Sequence, residues 1–190
     1  MSKFKRWMLP VVAIIAMAAV STAAIYYRDR VNAAPADPLQ QADALRKEAA
    51  SINREFRSSP TGSHLLKADT LSTPQIAADS LIVIKKYHVD IKNVMTKAAT
   101  AVGEALRSTP NNSEFEHAMI EENSATDAWL SALENLYQFA ADPVHNVHVN
   151  DDGKIAIDDS PKYNELVDIV NAANERHMAA IAALRVLKDK

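Results

Sequence analysis

PQIAADSLIVIKKYHVDIKNVMTKAATAVGEALRS, residues 74–108, decides the fold. Alternate steps of four and three residues from Ala77 reach Leu81, Ile84, His88, Ile91, Met95, Ala98, Val102 and Ala105, a mainly apolar seam with one histidine inside it. At 1.5 Å per residue the stretch makes a single helix of about 50 Å. Such a seam is held in water by other helices that cover it, not by helix propensity alone.

Working outward, Thr73 followed by Pro74 reads as an N-cap with proline at the first helical position. The run Ser108-Thr109-Pro110-Asn111-Asn112 ends this helix, and Ser113 with Glu116 three residues on forms a capping box for the next, about Glu114 to Ala141. That helix repeats the seam with Phe115, Met119, Glu122, Thr126, Trp129, Leu133, Leu136 and Ala140, and the short turn makes the pair antiparallel. Upstream, Asp37 to Ser58 presents Ala42, Leu45, Ala49, Ile52 and Phe56 on one face, and the breaker cluster around Ser59-Pro60-Thr61-Gly62 separates it from Pro74, with a turn of helix expected near Leu65-Leu66.

Downstream, Asp142-Pro143 closes the helix, and Val147, Val149, Ile155 and Ile157 alternate with polar residues around Asn150-Asp151-Asp152-Gly153. This is the pattern of a hairpin with a type I turn, glycine left-handed and four apolar residues on one face. Ser160-Pro161 opens a last helix carrying Tyr163, Leu166, Val170, Ala173, His177, Ala180, Leu184 and Leu187. The expected class is all-α: an up-down four-helix bundle with a small β-hairpin insertion, over residues 39–190.

Ahead of that domain, Lys3, Lys5 and Arg6 in the basic segment 1–6 precede 21 uncharged residues at 7–27, edged by Trp7 and Tyr26-Tyr27. That length and those edges suit a single transmembrane helix with the basic end in the cytoplasm. A cleaved signal peptide ending near Ala23 or Ala33 is the rival reading, and both export the domain. Residues 28–38, with Pro35 and Pro38, form a stiff linker. In a bacterium this places the chain on the inner membrane with its C-terminal domain in the periplasm.

Residues 31–190 hold 16 basic against 23 acidic side chains, net −7, which disfavours nucleic acid as a partner. Cysteine is absent and only three glycines occur, so disulfides, thiolate sites and glycine-rich phosphate loops are excluded.

Candidate chemistry is sparse. His88 and His177 lie at similar depth on helices that an up-down topology makes parallel, so they are the candidate cofactor-binding residues, a pair that would meet near Leu133 and ligate haem or a metal. The plainer reading, two histidines hydrogen-bonded in or beside the core, outweighs it. Glu114 and His117 match one Glu-x-x-His element of di-iron bundles, but Asn174 stands where the second needs glutamate. His148 to Asp159 resembles a calcium loop only in its middle, with His148 and Asp159 wrong at its ends, and His145 with His148 gives two metal donors without a third. Glu122 and Thr126 interrupt their seam opposite Ala98 and Ala99, away from His88, where the seam is expected to widen and admit water.

No nucleophile with a base and no carboxylate pair emerges, so the chain is expected to be non-enzymatic and without a cofactor. The expected function is that of a scaffold, accessory or regulatory subunit binding another envelope protein. The alternative is a small ligand, haem or metal within the bundle. One anchor followed by four helices is similar in outline to the ligand-binding domains of bacterial chemoreceptors, with no shared motif and no second span or output domain. A homodimer is expected if the short-seamed first helix docks poorly and leaves apolar surface.

Overall fold

The computed structural model describes residues 36–106 and 113–188. The segment read as membrane-spanning, most of the linker, the turn at 108–112 and the basic end at 189–190 lie outside them. Among the described residues no helix is long and apolar enough to cross a membrane.

Among the described residues the fold is all-α with one two-stranded sheet. Four long helices, α1 (Ala36–Ser58), α4 (Pro74–Leu106), α5 (Ser113–Ala141) and α6 (Ser160–Lys188), are joined through the one-turn helices α2 (Pro60–Ser63) and α3 (Ala68–Leu71) and the strands β1 (His148–Val149) and β2 (Ile155–Ala156). A 3₁₀ turn at Pro143–His145 follows α5. The long helices pack in chain order, α1 on α4, α4 on α5 and α5 on α6, while α1 and α6 make no comparable contact.

The Ile76 amide donates to Thr73 Oγ1 at 3.2 Å at the head of α4. Every described side chain of the α4 seam is buried except His88, which is half-buried. A second row one heptad apart, Ser80, Tyr87, Val94 and Ala101, is also buried. This row meets α1: Tyr87 Oη donates to Asn53 Oδ1 at 2.7 Å and its ring stacks on Phe56 at 4.1 Å. Thus α4 carries two stripes because it lies between α1 and α5. Leu45, Ala49 and Phe56 of α1 are buried, so α1 docks and the surface expected to drive dimerisation through it is covered.

The 59–73 connection is tied down rather than loose. Ser59 caps α2 by accepting from the Gly62 amide at 3.0 Å, and a Cβ at Gly62 would stand 2.0 Å from the Phe56 carbonyl oxygen, so only glycine fits. The expected turn of helix at Leu65-Leu66 is instead the bend between α2 and α3, with Leu66 left-handed at φ 60°. Its amide donates to Tyr137 Oη at 2.9 Å, and Thr70 Oγ1 lies 2.9 Å from the same oxygen. The buried Tyr137 of α5 thereby supplies hydrogen bonds that the bend cannot make itself.

In the hairpin, His148 pairs with Ala156 and Val149 with Ile155. The Gly153 amide donates to the Asn150 carbonyl at 2.9 Å, with Gly153 at φ 71°, the expected type I turn with a left-handed glycine. Val147 and Ile157 are buried and Ile155 partly so, but Val149, paired with Ile155 at the turn end of the ladder, stays exposed.

Candidate functional site

His88 does not face the interior as a free ligand. Its Nδ1 lies 2.5 Å from Glu134 Oε1 and its Nε2 2.9 Å from Asp127 Oδ1, both on α5, while Lys92 Nζ lies 2.6 Å from the same Asp127 oxygen. Both imidazole contacts are hydrogen bonds at once only when the ring carries two protons, since a carboxylate accepts and does not donate. The Lys92 ammonium foremost, with His88 beside it, holds Asp127 below the usual carboxylate range. The sequence reading paired no acid with His88. Asp127 and Glu134, one heptad apart on the same flank of α5, were the available signal.

Beside this clamp, α4 and α5 bound a half-enclosed groove of about 300 Å3. Ile91, Met95 and Leu130 form its apolar floor, and Lys92, Asn123 and Asp127 belong to its polar rim. On the same outer face stand Ile82, Val89 and Ile120, 69%, 58% and 56% exposed. Val89 and Ile120 lie near the two ends of the groove, and Ile82 stands two turns beyond Val89 along α4, so open aliphatic side chains are spaced along this face.

His177 belongs to a different environment. It is fully buried on α6, its ring stacks on Trp129 at 5.3 Å and 4° between planes, and its Nδ1 lies 3.0 Å from Thr126 Oγ1. The Thr126 hydroxyl donates to Glu122 Oε1 at 3.2 Å. His177 Nε2 and Asn174 Oδ1, one turn apart on α6, are buried without a hydrogen-bond partner. Burial pushes the Glu122 carboxyl up to about 8, against the Thr126 hydrogen bond, and pushes the His177 imidazole down to about 4. Both are therefore neutral near pH 7. Glu122 is 3% exposed, so the seam closes around it where widening was expected.

The partners of the two histidines lie roughly 100° apart around α5 at about 100° per residue, Asp127 and Glu134 on one flank, Thr126 and Trp129 on the other. Equal depth does not bring the rings to a shared ligand position. Each nitrogen of His88 is engaged by a carboxylate, and His177 offers only Nε2. Glu114 and His117 are exposed. His145 stacks on Phe139 at 3.7 Å, and His148 Nδ1 lies 2.9 Å from the Asn146 carbonyl, so these two histidines have separate partners. Asn150 Oδ1 accepts from the Lys154 amide at 2.9 Å and serves the hairpin turn. Among the described residues no group of three or more His, Cys, Asp or Glu side chains is placed to hold a metal ion.

Compared with protein-family models, curated proteins and solved structures, the chain matches none.

Proposed function

We propose that this chain is a non-enzymatic, membrane-anchored protein of the bacterial envelope, whose exported helices form an up-down bundle and whose outer α4–α5 face binds protein. The observation that carries the reading is the groove itself, with an apolar floor, a charged and polar rim, and the solvent-open Val89 and Ile120 near its two ends. The arrangement suits a protein surface that lays apolar side chains on the floor and polar groups on the rim. Most of the buried polar side chains, by contrast, are satisfied within the fold, as Tyr87, Tyr137 and Asn53 illustrate.

A photo-crosslinking amino acid at Val89 of the full-length chain in native membranes tests this. A discrete protein adduct at Val89, absent from a control at the equally open Val186 of α6, is the expected result. Equal or no adducts at the two positions would overturn the reading.

A further inference from the structure

The outer face of α4 and α5 carries two parallel rows of opposite charge. Along α4 the outward row is Ile82, Lys85, Val89, Lys92, Thr96 and Ala99, with cations and no acid. Along α5 it is Ile120, Asn123, Asp127, Ser131 and Glu134, with acids and no cation. The contacts of His88 with Asp127 and Glu134, and of Lys92 with Asp127, set the antiparallel register of the two helices. Lys85 is thereby level with Glu134, Val89 with Ser131, Lys92 with Asp127, and Ala99 with Ile120.

We propose that this face docks a second copy of the same chain, α4 of one copy over α5 of the other, about a twofold axis running along the helices. The inference rests on the reading of this face as a protein-docking surface and names its occupant. Such an axis preserves depth and exchanges the two helices, so each cation meets the acid level with it. Lys85 lies on the partner copy's Glu134 row, and Lys92 and Asp127 form an alternating ring of four charges across the axis. Ile120 falls on the small Ala99, and Val89 on the small Ser131, which lets the crests approach. A twofold axis crossing the helices instead lays α4 on α4 and lysine on lysine, which like-charge repulsion disfavours. Lys85 supplies the clearest sign: it is exposed and, among the described residues, has no ion pair in its own chain.

The test uses the full chain in lipid nanodiscs or detergent, and the absence of natural cysteine makes introduced thiols unambiguous. Two differently tagged populations, Val89→Cys and Ser131→Cys, are mixed and oxidised, and the mass of the uncrosslinked protein is measured by light scattering. The expected results are a disulfide between unlike copies, a dimer mass, and a dissociation constant raised about tenfold by Lys85→Glu but not by Lys97→Glu on the far side of α4. A monomer mass throughout, or Val89→Cys copies joining each other as readily, overturns the second copy. If the Val89 photo-adduct then contains a different protein, the docking face stands and only its occupant was wrong. With neither adduct nor dimer, both fall.

Discussion

Thr126 Oγ1 lies 3.0 Å from His177 Nδ1 and 3.2 Å from Glu122 Oε1, so one hydroxyl joins a buried carboxyl to a buried imidazole across the α5–α6 contact. Since burial holds both groups neutral, the strength of that contact depends on pH.

The folded-state pKa of Glu122, raised to about 8, means that its contribution is complete below the unfolded value near 4.5 and is lost as pH rises toward 8. The imidazole of His177, lowered to about 4, contributes fully above its unfolded value near 6.5 and loses that contribution as pH falls toward 4. Between about 4.5 and 6.5 the two slopes cancel, so stability is flat there. From about 6.5 to 8 only the Glu122 slope remains, and unfolding free energy falls by about 2 kcal/mol. Urea denaturation across this range checks the decline, and Glu122→Gln removes it.

Replacing His177 separates its packing from its polarity. His177→Phe keeps a ring against Trp129, removes the unpartnered Nε2 and leaves Thr126 its bond to Glu122, so it is expected to change stability by less than about 1 kcal/mol or to raise it. His177→Ala empties the same volume and is expected to cost about 3 kcal/mol. Equal losses in the two variants, measured by denaturant midpoint, would contradict this division.

The His88 clamp predicts non-additivity. Asp127→Asn and Glu134→Gln each remove one charge-assisted contact to the same ring and are expected to cost about 1 kcal/mol apiece. The double variant is expected to cost less than their sum, because both contacts orient the same imidazole ring and loss of one already frees it to turn. A double-mutant cycle on thermal or urea unfolding reads the coupling directly.

Two glycines are expected to respond in opposite senses to alanine. At Gly62 a Cβ would collide with the Phe56 carbonyl oxygen 2.0 Å away, so Gly62→Ala displaces α2 and lowers stability by about 3 kcal/mol. At Gly103, inside α4, a Cβ meets nothing within 4 Å, and Gly103→Ala is expected to stabilise by up to about 1 kcal/mol. Melting temperatures of the two variants settle the signs.

Much of the helical layout was legible because apolar period is a direct record of burial. The seam residues Ala77, Ile84, Ile91 and Met95 of α4, and Phe115, Trp129 and Leu133 of α5, are buried as their spacing requires. The second row of α4 was less legible, since Ser80 and Tyr87 look polar until Asn53 and Phe56 of α1 are seen to receive Tyr87. Rotation about the helix axis was not readable by counting: side-chain packing turns His88 and His177 toward different flanks of α5. The network around Thr126 depended on that rotation too, which is why Glu122 reached a histidine that spacing alone did not assign to it.

The layer of Glu122, Thr126 and His177 also interrupts the interior between α5 and α6. An apolar cluster runs from Leu45 through Ile84, Tyr137 and Val170 to Trp129, and along α4 it continues past the level of that layer to Ala98 and Ala101. Past the layer along α5 and α6, Phe115, Met119, Ile181 and Leu184 are buried outside that cluster. The break in the apolar interior is therefore confined to the α5–α6 contact, and α4 bridges it with a continuous apolar row.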